Sequence, residues 1–164
     1  MSDQLAIHGG TPVREDPFDG PSHDYGDEDV EAAAEVIRSG FTSDKQEAFE
    51  RAFAGRHGLR HGVTVNSGTS AMHTCVAALN PDPGTEIIVT PWTSGGSIIG
   101  LLLQNCVPVF ADVDDTFTLD PADVEAKITP RTRAIIAVHL FGNPCDLAPL
   151  REIASCHNLV LIED

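Results

Sequence analysis

Four places in this 164-residue chain hold residue types that could do chemistry. The first is Asn66-Ser-Gly-Thr-Ser70, which lies between a β-branched run and a helical pattern. The N–H groups in the first turn of a helix lack internal acceptors and sit at the positive end of its dipole, so such a turn attracts an anion, a phosphate above all. Gly68 lets the backbone come close, and Thr69 and Ser70 add hydroxyl donors; the same residues also serve as ordinary helix caps, and both readings stand. The second is Asp164, after the run Leu159-Val-Leu-Ile-Glu163. A carboxylate at the C-terminal end of a parallel strand faces the crevice where such sheets bind ligands, and there it can pair with a protonated ring nitrogen or cap a following helix. The third is Trp92, the single tryptophan, whose flat ring can stack on a ligand ring or fill a core. The fourth, His139, ends another β run and is read either as a site residue or as a hydrogen-bonded residue at the edge.

These residues need elements to position them. Residues 1–26, rich in Gly and Pro, predict an irregular N-terminal arm, and 27–164 predict alternating helices and strands. A first helix starts with Asp27 as its cap, carries Val30, Ala33, Ala34 and Ile37 on one face, and stops at Gly40. A second starts near Asp44, with Phe49 and Phe53 one turn apart. Strands are expected at 62–66, 86–90, 107–113, 134–140 and 159–163. Helices are expected at 69–79, 97–104, 121–128, capped by Asp120, and 146–155. Several strands are continuous Val, Ile and Leu, the pattern of parallel strands covered on both faces, so the fold class is α/β with a mainly parallel sheet. A chain that stops at Asp164, on the tip of a buried strand, is expected to be cut from a longer domain, because the open sheet edge would lack its neighbour.

Composition narrows the partners. Ten Lys and Arg against 25 Asp and Glu give a net charge of −15, which repels phosphate backbones and anionic lipid, so neither nucleic acid nor membrane is an expected partner. The start lacks a signal-peptide pattern and no apolar run could span a bilayer, so a soluble cytoplasmic protein is expected. Cys75, Cys106, Cys145 and Cys156 form no Cys-x-x-Cys pair and are expected to be buried free thiols. The histidines show no metal-ligand spacing, and no metal is expected. No Gly-x-Gly-x-x-Gly loop marks a dinucleotide-binding domain.

The order of motifs resembles the DegT/StrS aminotransferases, which act on keto sugars and keto cyclitols. The resemblance covers nearly the whole chain. It runs through Leu5-Ala-Ile-His-Gly-Gly-Thr-Pro-Val-Arg14, Val36-Ile-Arg-Ser-Gly40, Phe49-Glu-Arg-Ala-Phe-Ala54, Val65-Asn-Ser-Gly-Thr-Ser-Ala71, Glu86-Ile-Ile-Val-Thr-Pro-Trp-Thr93, Pro108-Val-Phe-Ala-Asp-Val113, Val138-His-Leu-Phe-Gly-Asn-Pro-Cys-Asp146 and Leu159-Val-Leu-Ile-Glu-Asp164.

That resemblance implies the large domain of a fold type I pyridoxal 5'-phosphate (PLP) enzyme, here incomplete. Gly68, Thr69 and Ser70 would hold the cofactor phosphate, and Asp164 would pair with the pyridine nitrogen so that the ring can accept electrons. It also implies a homodimer, with glutamate or glutamine as amino donor. Two departures stand out. The ring-stacking aromatic of the family lies two residues beyond Trp92, where this chain has Ser94, so either Trp92 takes over or the stacking is lost. The Schiff-base lysine of the family lies beyond Asp164, and neither Lys45 nor Lys127 matches it; these 164 residues alone are therefore expected to be inactive. Two alternatives stay open: a PLP-dependent sugar dehydratase, in which histidine replaces that lysine, and a non-catalytic remnant of the fold.

Overall fold

The computed structural model describes residues 4–14, 16, 25–40 and 43–164. It divides the chain into two compact units, Met1–Gly62 and Val63–Asp164. In the first, helix α1 (Asp27–Arg38) has Gly26 rather than Asp27 as its N-cap. The Asp29 carboxylate accepts the Gly26 N–H at 2.8 Å, and three acidic residues crowd the first turn, where the dipole favours them. The chain leaves α1 through Gly40 at φ 64°, a left-handed stop that suits glycine. Helix α2 (Lys45–Arg56) stacks Phe49 and Phe53 with ring centroids 5.7 Å apart. Both rings stay more than half exposed, as do Val30 and Ile37 on α1, so helical spacing here aligns apolar side chains without burying them.

The second unit is built on a four-stranded sheet, all parallel, in the order β2-β1-β3-β4. Its strands are β1 (Glu86–Val89), β2 (Val107–Phe110), β3 (Thr132–Ala137) and β4 (Val160–Glu163). Helices α3 (Gly68–Ala78), α4 (Gly96–Leu103), α5 (Pro121–Ala126) and α6 (Leu147–Cys156) alternate with them. Asp120 and Asp146 cap α5 and α6 by accepting the N–H groups of Ala122 and Ala148. Because successive side chains point to opposite faces, β1 and β3 feed two cores. Ile87, Val89, Ala134 and Ile136 join Met72, Val76 and Leu101 of α3 and α4 on one face. Ile88, Ile135 and Ala137 join Val124, Leu150 and Ile153 of α5 and α6 on the other. The sheet is thus covered on both sides, and the continuous apolar runs follow from it.

Three expected strands change. Residues 62–66 do not enter the sheet: Val63 is 74% exposed and no ladder joins this stretch to the four strands. A strand needs a hydrogen-bonding neighbour as well as a suitable pattern. The run 107–113 ends as a strand at Phe110, with Val113 in an isolated antiparallel bridge to Leu119. The run 134–140 begins two residues early, at Thr132, and ends at Ala137, beyond which Leu140–Gly142 forms a 3-10 turn. The cysteines divide too. Cys106 and Cys145 are buried, and burial pushes both thiols up, but Cys75 and Cys156 are exposed because they fall on the outer faces of α3 and α6.

At the N-terminal end of the sheet, Glu86 is only 5% exposed. Its carboxylate accepts from the Thr129 hydroxyl and from the Arg131 guanidinium, so the buried charge is both hydrogen-bonded and paired. The hydroxyl of Thr129 first, and Arg131 after it, hold the carboxyl below the ordinary glutamate range. Among the described residues no helix is long and apolar enough to cross a membrane.

Candidate functional site

The chain runs from β1 outward to β2, then returns to the far side of β1 with β3 and continues to β4. Between β1 and β3 the connections diverge, and in such sheets the crevice beyond the C-terminal ends at that point is where ligands bind. A cleft of about 420 Å³ lies there, lined by Gly68, Thr69, Met72, Thr93, Ser94, Gly96, Ser97, Val138, His139, Leu140, Phe141 and Asp164.

Three of the five expected cofactor-binding residues, Gly68, Thr69 and Asp164, line this cleft. Gly68 opens α3, and Ser67 is the cap: its hydroxyl accepts the Ser70 N–H at 3.1 Å. A Cβ at Gly68 would meet no atom of the chain, so the backbone here is open to close approach. Ser70 is held to Ser67 on the helix side, its Oγ 3.0 Å from the Ser67 hydroxyl, and is not among the lining residues. Gly96 opens α4 beside Thr69, where an added Cβ would come within 2.7 Å of the Thr69 hydroxyl, so the glycine leaves room for that hydroxyl at its present position.

Asp164 is fixed by its backbone. Its N–H donates to the Ala137 carbonyl at 2.9 Å, and its own carbonyl accepts from the His139 N–H at 2.8 Å, extending the β3–β4 ladder by one rung. Its carboxylate accepts from the Ser97 hydroxyl. Ser97 is buried and stands 2.8 Å from the Thr93 hydroxyl. His139 lines the cleft while making the edge contacts expected of the other reading: Nδ1 accepts the Cys145 N–H at 3.0 Å, which leaves the proton on Nε2, 3.2 Å from Glu163.

Trp92 stands elsewhere. It is half exposed and lines a neighbouring apolar depression of about 260 Å³ with Thr116, Phe117, Leu140, Phe141 and Asn143. The Thr90 hydroxyl accepts the Trp92 N–H at 3.0 Å and so sets the turn that carries the ring there, while Ser94 lines the main cleft. Sequence reasoning missed Ser97 and Thr93. The signal was present: Ser97 is the one hydroxyl in the apolar helix Gly-Ser-Ile-Ile-Gly-Leu-Leu-Leu, and Thr93 precedes it by four residues.

The residues present fit a phosphorylated pyridine: an open glycine and free N–H groups at a helix start for the phosphate, and a carboxylate facing the cleft for a ring N–H. The family model for the DegT/DnrJ/EryC1/StrS aminotransferase family matches residues 23–164. The chain belongs to this family. Over its full length it is 45% identical to a protein of Streptoalloteichus tenebrarius whose provisional name is L-glutamine:3-amino-2,3-dideoxy-scyllo-inosose aminotransferase. It spans 41% of that relative's length. The solved aminotransferase from Psychrobacter cryohalolentis superposes with a TM-score of 0.83 at 33% identity, over 88% of this chain and 38% of that one. NtdA from Bacillus subtilis, solved with bound cofactor PMP, superposes with a TM-score of 0.77 at 31% identity, over 82% of this chain and 32% of that one. The sheet is accordingly part of the fold type I PLP-transferase architecture.

Proposed function

We propose that the protein containing these residues is a PLP-dependent aminotransferase that moves an amino group from glutamate or glutamine to a keto sugar or keto cyclitol, as a cytoplasmic homodimer. The observation that carries this reading is Asp164: a carboxylate on the cleft, held by a hydroxyl, with no arginine or lysine paired to it among the described residues. Such a group suits a protonated ring nitrogen. The name of the 45% identical relative supports a cyclitol-type acceptor and a glutamine donor.

In this reading residues 1–26 are an arm and 27–164 belong to the cofactor-binding large domain. Gly68 and the N–H groups at the start of α3 bind the phosphate, and Thr69 adds its hydroxyl. Asp164 holds the ring proton. Ser70 secures the start of α3 through Ser67 and contributes to the phosphate from there. Trp92 flanks the ring's site from the adjoining depression, which shares Leu140 and Phe141 with the cleft. The bound cofactor supplies an electron sink that stabilises negative charge at the donor's α-carbon. The lysine that would attach it lies outside these residues. Lys127 is bonded to Asp123 at 2.7 Å and does not line the cleft, and Lys45, in the first unit, is bonded to Glu35 at 2.9 Å.

The test is to express the full-length protein, add PLP, and follow its absorbance before and after borohydride. Reduction that locks the cofactor onto one lysine peptide is the expected result. Cofactor that binds without becoming reducible would instead support the dehydratase, a reading less favoured because the 45% identical relative carries an aminotransferase name. A protein that binds no cofactor would overturn both and leave the non-catalytic remnant.

A further inference from the structure

Ser97 and Thr93 have no part in the function so far, and their placement is specific. Ser97 is 4% exposed, in the first turn of a helix that is otherwise apolar. A buried hydroxyl needs partners, and it has a single proton to give. An ionised carboxylate can only accept, so the Ser97 proton goes to Asp164 Oδ2. The contact between Ser97 and Thr93, 2.8 Å long, must then run the other way, with the Thr93 hydroxyl donating to Ser97 Oγ. The result is a directed chain from Thr93 through Ser97 to one oxygen of Asp164.

We infer that Ser97, backed by Thr93, is a positioning residue for Asp164: it commits one carboxylate oxygen to the protein and turns the other toward the ring nitrogen of the cofactor. The inference rests on the PLP reading proposed above. The backbone of Asp164 is tied into the sheet, and among the described residues Ser97 supplies the hydrogen bond recorded for its side chain. A carboxylate that must be ordered at the moment of binding binds more weakly than one already held.

The test uses the full-length protein and two ligands, pyridoxamine 5'-phosphate and its 1-deaza analogue, which has carbon in place of the ring nitrogen. Titration calorimetry on wild type, Ser97→Ala and Ser97→Thr gives the affinities. Ser97→Ala is expected to weaken pyridoxamine phosphate by about tenfold, the scale of one hydrogen bond to a charged group only partly transmitted to the ligand, and to leave the deaza analogue unchanged. Ser97→Thr, which keeps the hydroxyl, is expected to restore the wild-type preference. Should Ser97→Ala fail to fold, Thr93→Val removes the outer hydroxyl alone and is expected to show the same selective loss, smaller in size. Equal loss on both ligands, or loss on neither, overturns the positioning role while the PLP reading survives. Wild-type protein that binds neither ligand overturns the PLP reading itself, and this inference with it.

Discussion

Two carboxylates stand at opposite ends of one parallel sheet and are treated differently. Glu86 begins β1 and Asp164 follows β4, and each accepts a hydrogen bond from a hydroxyl: Thr129 in the first case, Ser97 in the second. Glu86 also has Arg131 and is buried, so its charge is satisfied inside the chain. Asp164 faces a cleft with no cation paired to it among the described residues. The hydroxyl contact is the same, and among the described residues the arginine at Glu86 separates them. A carboxylate closed by its own cation holds the fold together; one held in place but left uncompensated is suited to a positive group brought by a ligand.

The sharpest way to break this contrast is to remove the charge at each end in turn. Asp164→Asn in the full-length protein is expected to weaken PLP-type cofactors about a hundredfold, the scale of a charge-assisted hydrogen bond, and to change the melting temperature of the cofactor-free protein less than Glu86→Gln does, because among the described residues no cation pairs with its carboxylate. A measured loss of stability with intact cofactor affinity would make Asp164 a structural residue like Glu86.

Glu86→Gln is expected to do the reverse, lowering unfolding free energy by about 2 kcal/mol while leaving cofactor affinity alone. Its pH dependence sharpens the point. Thr129 and Arg131 lower the carboxyl of Glu86 in the folded state, so the unfolded chain takes up a proton first as the pH falls. The stabilisation is therefore complete above the ordinary glutamate value of about 4.5 and is lost as the pH drops through the lower folded-state value. Denaturant curves for wild type and Glu86→Gln should be well separated at neutral pH and converge in acid. A constant separation would assign the effect to shape rather than charge.

The sheet was legible wherever a short run had to be apolar on both faces. Ile87, Ile88, Val89, Ile135 and Ile136 are all fully buried, and no alternating pattern could have produced them. The cap was legible at Asp120, but not at Asp27, because Gly26 takes the cap position and Asp29 closes it, and not at Asp146, which was expected as the first residue of its helix and is its cap. The stretch 62–66 has the composition of a strand, yet strand formation depends on a neighbour, and composition does not report one. In the site, Gly68, Thr69 and Asp164 could be singled out because each sits at the end of a recognisable element. Ser97 and Thr93 left only the lone hydroxyl in an apolar helix as a signal, and what that hydroxyl does comes from the contact of Ser97 with Asp164, 67 residues away in sequence. Trp92 was placed by its distance from a strand, but a single turn, closed by the Thr90 hydroxyl, sends its ring into the neighbouring depression.

The smallest expected effect probes the phosphate side of the cleft and leaves both carboxylates in place. At Gly96 an added Cβ would lie 2.7 Å from the Thr69 hydroxyl, too close for real atoms, but the atom in the way is the end of a side chain. Gly96→Ala should therefore turn the Thr69 hydroxyl aside without shifting the two helices, at little cost to stability. Gly100 is the built-in contrast, because a Cβ there would meet the backbone of His73, which cannot turn away. If Thr69 donates to the phosphate, Gly96→Ala weakens PLP by about fivefold, the value of one net hydrogen bond, and Gly96→Ala combined with Thr69→Ala is no worse than Thr69→Ala alone. Additive losses in that cycle would mean that Gly96 acts through the placement of α4, and hence through Ser97, so the phosphate and ring ends of the cleft would be mechanically joined rather than independent.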